Sequence, residues 1–276
     1  MTGAKGKTAL VFSAGGMFGA YQAGAWSVLE RVIRPDVVIG ASAGALNAWA
    51  VAGGCSGDDL IRTWMELDWA AELHWRMPRR PLDGVLEPDR LHRHIRELHA
   101  SYPPRREVGI VLTDLLRLRP FLVRGANVTW RHLAASCAVP GIMQQQRLEG
   151  RLCTDGGLLC SLPLWAASAM EATQIAAINA LPFGVPSRVI RWSVRSLRWI
   201  ARYHPGPAPP VMIMIRPRAH LGTSREALAW ARQNAARWIE QGQADALAGL
   251  AALEDRAVEC RSQLPRSPCP HIASTE

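Results

Sequence analysis

Between Thr8 and Ala52 the chain passes twice from an apolar strand to a helix, each time through a glycine-rich turn. Thr8-Ala-Leu-Val-Phe-Ser13 is a short apolar run of the kind buried on both faces of a sheet. It leads into Ala14-Gly15-Gly16-Met17-Phe18-Gly19 and then a helical pattern from Ala20 to Ile33. Pro35 ends that helix, because it cannot continue the backbone hydrogen bonding. Val37-Val38-Ile39 is a second strand; it meets Gly40-Ala41-Ser42-Ala43-Gly44, and Ala45 to Ala52 reads as helix. Strand, glycine loop, helix, strand, tight turn, helix is the rhythm of a mostly parallel sheet covered by helices. The expected fold class is therefore α/β, a three-layer α/β/α architecture.

Further along, Asp58 to Trp69 and Pro88 to Ala100 read as helices around a proline- and arginine-rich connection, Pro78 to Pro81. Val108 to Thr113, Arg119 to Arg124, Gln174 to Ala180 and Val211 to Ile215 supply further strands. Thr223-Ser-Arg-Glu226 is a capping box, whose helix is expected to run to about Leu253. No repeat or linker divides the chain. Residues 1–255 are expected to form a single domain and residues 256–276 a loosely ordered tail.

A serine hydroxyl needs exposure, a base and donors for a developing oxyanion before it can act as a nucleophile. The strand–turn–helix setting of Ser42 supplies the exposure, with Gly40 and Gly44 leaving room for close helix–strand packing. The loop holding Gly15, Gly16 and Met17 offers free backbone N–H groups at a helix start, where the dipole favours negative charge. It lacks the Gly-Lys-Ser/Thr ending of a nucleotide phosphate loop, and Ala14 stands where the dinucleotide fingerprint has its first glycine. No histidine sits in a setting that marks it as the base; His92, His94 and His99 fall on what reads as a solvated, arginine-rich helix face. Asp155, followed by Gly156 and Gly157 after a short strand, is the stronger candidate, since a carboxylate can take the serine proton directly.

These motifs in this order resemble the patatin-like phospholipases, from about Thr8 to Leu253. Gly19-Ala-Tyr-Gln-Ala-Gly24 is similar to that family's first helix, and Thr113-Asp114 to the end of its central strand. Ala135-Ser-Cys-Ala-Val-Pro140 and Leu162-Pro163 resemble the segments flanking its aspartate, and Gly242-Gln-Ala-Asp245 its last helix. The resemblance implies a Ser42–Asp155 dyad, an oxyanion hole at Gly15, Gly16 and Met17, a lipid ester substrate, and no metal or organic cofactor. Two positions depart from the family's loop: Ala14 replaces a glycine, and Phe18 replaces a lysine or arginine. Loss of that cation points towards a neutral ester rather than a phospholipid.

The net charge of +9 is compatible with nucleic acid or an anionic membrane surface, but no nucleic-acid motif accompanies it, so no nucleic-acid partner is expected. Arg188, Arg191, Arg195, Arg198 and Arg202 recur at steps of three and four, with Trp192 and Trp199 beside them. Arg191, Trp192, Arg195, Arg198 and Trp199 are the expected contact face for peripheral attachment to an anionic membrane. The short apolar start running into a glycine loop does not read as a signal peptide, so the expected location is cytoplasmic, peripherally at the inner membrane surface. The six cysteines lack the paired short spacing of a zinc site. Two other readings stay open: a non-lipid esterase or acyltransferase using the same dyad, and a catalytically silent, membrane-associated scaffold.

Overall fold

The computed structural model describes residues 6–67, 76–78, 82–184 and 187–262. The expected order of elements appears at once: β1 (Thr8–Phe12), α1 (Gly19–Leu29), β2 (Val37–Ala41) and α2 (Ala43–Ala52). Next come α3 (Gly57–Met65), α4 (Asp89–Ser101), β3 (Glu107–Asp114), β4 (Arg119–Arg124) and α5 (Trp130–Ser136). The chain continues through β5 (Gln146–Leu148), β6 (Arg151–Thr154), α6 (Trp165–Ala169), β7 (Gln174–Ile178), α7 (Arg188–Ile200), β8 (Val211–Ile215) and α8 (Arg232–Ser262). The connection at Pro78 to Pro81 lies largely outside the described residues.

The described strands form one sheet in the order β5-β6-β3-β2-β1-β7-β8, with β4 also paired to β3. Neighbours from β3 through β2, β1 and β7 to β8 are parallel, while β4, β5 and β6 pair antiparallel. Alternate residues of the central strands enter two separate cores. Leu10, Phe12 and Val38 pack beneath the layer of α1, α2, α3, α4, α5 and α8. Ala9, Val11, Val37, Ile39 and Ala41 face α6 on the other side. This division of a period-2 strand between two apolar cores is what makes the strands read as unbroken apolar runs. It also makes the expected three layers.

Two glycines bring α1 and α8 into backbone contact. A Cβ on Gly24 would fall onto the Ile239 carbonyl, and one on Gly242 onto the Tyr21 carbonyl. The Tyr21 hydroxyl then donates to Asp245 Oδ2 at 2.9 Å, satisfying a buried phenol across the same seam. The motifs Gly19 to Gly24 and Gly242 to Asp245 are therefore two halves of one helix crossing.

The C-terminal helix differs from expectation at both ends. The Thr223–Glu226 capping box forms, with Glu226 N–H donating to Thr223 Oγ1 and Thr223 N–H to Glu226 Oε2. It closes only a turn, however, and helix α8 starts at Arg232. Helix continuity would need the Ala227 carbonyl to accept from Ala231; it accepts instead from Met17 N–H at 2.9 Å. A tertiary hydrogen bond thus overrides the local signal. At the other end the helix continues past Leu253 to Ser262, into the segment expected to be a loose tail.

Candidate active site

Asp155 reaches Ser42 because of where β6 ends. Strand β4 occupies one edge of β3 along Gly109 to Asp114. On the other edge β2 pairs as far as Ala41↔Val111, and β6 pairs from the opposite direction as far as Thr154↔Thr113. The two strands run head to head along β3, with only Leu112 between their last paired positions. Both must turn out of the sheet where they meet. The residue after β2 is Ser42 and the residue after β6 is Asp155.

Ser42 turns with φ 56° and ψ −131°, a conformation L-residues rarely adopt, which costs about 1–3 kcal/mol and must be held by its surroundings. Gly40 and Gly44 allow that turn: a Cβ on Gly40 would strike the Gly44 carbonyl, and one on Gly44 the Ser13 carbonyl. Ser136 clamps the elbow. Its hydroxyl accepts from Ser42 N–H at 2.9 Å and donates to the Val111 carbonyl at 2.8 Å, while its own carbonyl accepts from Gly156 N–H at 3.1 Å. One buried residue at the end of α5 is therefore bonded to both arms of the site. In the sequence Ser136 is marked only by its hydroxyl between apolar residues, within the segment that resembles the family's, and nothing there assigns it a role.

Asp155 is held at three points. Its N–H donates to the Ala138 carbonyl at 3.0 Å, and its carbonyl accepts from Thr113 Oγ1 at 2.9 Å. Its Oδ1 accepts from Gly157 N–H at 2.7 Å, the Asx-type turn that the Asp-Gly-Gly sequence favours. Gly156 is needed against the sheet, where a Cβ would meet the Val111 carbonyl. Oδ2 is buried without a hydrogen-bond partner of good geometry. Burial raises the Asp155 pKa to about 6, opposed by interaction with the Ser42 hydroxyl and by the Gly157 N–H. A base poised near neutrality and turned to a serine is suited to accepting its proton.

The glycine loop follows β1 beside them. Gly16 sits at φ 55°. Among the described residues, the N–H groups of Gly15 and Gly16 donate to no protein acceptor. Met17 does not share that freedom, since its N–H is committed to Ala227 and is not available to an oxyanion. A buried network sets the loop from behind: Ala180 N–H and Gln22 Nε2 donate to Ser13 Oγ, Asn47 Nδ2 to Gln22 Oε1, and Trp64 Nε1 to Asn47 Oδ1. Gly19 lies against the Trp64 ring in the same region. Phe18 is 1% exposed and packs edge-on to Trp238 with ring centroids 4.9 Å apart. The position that lacks the family's cation has become part of the core.

Two cavities open on Ser42. One, of about 90 Å³, is walled by Leu46, Leu60, Trp64, Leu67, Leu91 and Leu228, with His94 also lining it. Burial lowers the His94 pKa, which keeps it neutral in that apolar setting. His92, His94 and His99 are all half-buried rather than on a solvated face, with His99 stacked on Trp49. The other cavity, of about 680 Å³, holds Ser42, Asp155, Gly15 and Gly16, and is walled on one side by α7. Arg191, Trp192, Arg195 and Arg198, expected on a membrane face, line this cleft, and Trp192 keeps 71% of its surface exposed. Trp199 is outside it and 81% exposed.

The description "Patatin-like phospholipase" belongs to a family model that matches residues 10–168, more than half of the chain. Among solved structures, that of VipD from Legionella pneumophila is similar with a TM-score of 0.51 and 12% identity, covering 90% of this chain and 67% of that one. The type III effector protein ExoU is matched at a TM-score of 0.44 and 15% identity, over 91% of this chain and 54% of that one. This chain belongs to the patatin-like phospholipase family, hydrolases that act on the ester bonds of lipids.

Proposed function

We propose that this protein cleaves carboxylic esters of lipids with Ser42 as nucleophile and Asp155 as its base, through a covalent acyl-enzyme. The head-to-head meeting of β2 and β6, which turns both side chains out at one point between two cavities, is the observation that carries this reading. The acyl chain lies in the smaller, apolar cavity, and the alcohol portion occupies the larger cleft. Ser42 Oγ adds to the carbonyl carbon while its proton passes to Asp155. The oxyanion accepts from the N–H groups of Gly15 and Gly16. Collapse of this intermediate breaks the ester C–O bond, and Asp155 returns the proton to the departing alkoxide. Water then adds to the acyl-enzyme with Asp155 again taking the proton, and Ser42 leaves with that proton as the fatty acid is released.

The exposed rings of Trp192 and Trp199, 71% and 81% accessible, support peripheral contact between α7 and a lipid surface. The chemistry is tested by hydrolysis of p-nitrophenyl esters and short-chain phospholipids by wild type and Ser42→Ala. Release of product by wild type alone is expected; equal rates would defeat the reading.

A further inference from the structure

The larger cleft is charged in a way that a neutral ester does not require. Among the described residues, its ionisable lining is Asp155 and three arginines, the arginines all from one face of α7. Arg191, Arg195 and Arg198 lie at steps of four and three, so a helix projects them in one narrow row towards the cleft. Asp155, buried at the junction of β2 and β6, has its carboxylate turned to the Gly157 N–H and the Ser42 hydroxyl. Among the described residues, neither Arg195 nor Arg198 forms an ion pair with a carboxylate. Arg198 Nε and Ser224 Oγ, both on residues lining this cleft, are buried with no hydrogen-bond partner. The guanidinium groups of Arg195 and Arg198, with no carboxylate partner among the described residues and set in a cleft with low-dielectric walls, focus a positive potential there. Guanidinium groups are also the side chains best matched to phosphate oxygens.

We infer that Arg195 and Arg198, with the Ser224 hydroxyl, form an anion subsite that selects lipid esters whose leaving alcohol carries a net negative phosphodiester. This inference rests on the Ser42–Asp155 reading and names the substrate class of that site. The selectivity expected for a neutral ester on the basis of Phe18 is thereby reversed: the glycine loop has lost its cation to the core, and α7 supplies cations from across the cleft. A zwitterionic choline head group offers the same phosphate together with a quaternary ammonium, which the arginine row disfavours. A glycerol head group adds no such penalty.

The test uses soluble, short-chain substrates below their micellar concentration, so that membrane attachment plays no part. The measured quantity is the ratio of kcat/KM for dihexanoyl phosphatidylglycerol to that for dihexanoyl phosphatidylcholine. Wild type is expected to favour the glycerol lipid by about tenfold or more, because both lipids offer the same phosphate and only the choline lipid sets a quaternary ammonium against the guanidinium groups. The double variant Arg195→Gln, Arg198→Gln is expected to bring the ratio to within about threefold of unity, mostly through KM. Arg195→Lys, which keeps the charge at an exposed position, should retain most of the preference, and thermal melting confirms that each variant is folded. A wild-type ratio near one, or a ratio unchanged in the folded double variant, would overturn the inference. Failure of the underlying reading looks different: wild type would then match Ser42→Ala on both lipids and on p-nitrophenyl butyrate.

Discussion

Ser136→Ala removes a single oxygen that is bonded to the nucleophile's own backbone. The hydroxyl is fully buried, so water does not replace it, and the Ser42 N–H is left without an acceptor. An unpartnered buried N–H costs about 1–3 kcal/mol. A value of ~2 kcal/mol is roughly thirtyfold in an equilibrium constant. The cost falls on a residue already held at φ 56°. Relaxing Ser42 to a negative φ would relieve both penalties at once, but would carry Oγ away from Asp155. We therefore expect urea unfolding to show a loss of about 2 kcal/mol, and kcat for p-nitrophenyl butyrate to fall by about tenfold or more as the reacting atoms lose alignment. KM for so small an ester should change little. A variant with wild-type stability and wild-type kcat would refute the clamp.

With Asp155 as the base and its pKa raised to about 6 by burial, the ionised form predominates only above that pH. The pH profile of kcat/KM for a neutral ester should then rise to a plateau above about 7 and fall near pH 5 to about a tenth of it, whereas an ordinary carboxylate would hold activity down to about 4. Gly242→Leu should lower stability by several kcal/mol or prevent folding, because α1 and α8 touch through that position; chemical denaturation measures it, and a mild loss would contradict the close crossing. Leu46→Trp fills the apolar cavity one helical turn from Ser42, so the preferred acyl length should shorten across a p-nitrophenyl ester series while acetate remains a substrate. An unchanged length profile would place the acyl chain elsewhere.

Local order was legible from the residues and long-range meeting was not. The alternation from Thr8 to Ala52 gives β1, α1, β2 and α2 to within a few residues, since apolar periodicity and glycine turns are properties of adjacent positions. Asp155 was found because Asp-Gly-Gly marks a turn. That β2 and β6 meet head to head depends on how each pairs with β3, which no local pattern encodes. Ser136 went unassigned for the same reason. Arg191, Arg195 and Arg198 share the face of α7 that their spacing predicts, whereas Arg202 lies beyond the helix at φ 48°; periodicity fixes which residues share a face and not what that face meets. That face borders the cleft, while Trp192 and Trp199 stay exposed beside it. The capping box at Thr223 was equally real, and a single hydrogen bond from Met17 to Ala227 diverted the chain after one turn. Even Phe18, conspicuous as a missing cation, became intelligible only beside Trp238.

The central claim is that Ser42 is activated by Asp155, and a fluorophosphonate probe with peptide mass mapping tests it most directly. The account predicts covalent labelling of Ser42 in the wild type, none in Ser42→Ala, and labelling slowed by about a hundredfold or more in Asp155→Asn, where the base is removed but the fold is kept. Folded wild type that takes up no probe, or Asp155→Asn labelled as fast as wild type, would contradict it.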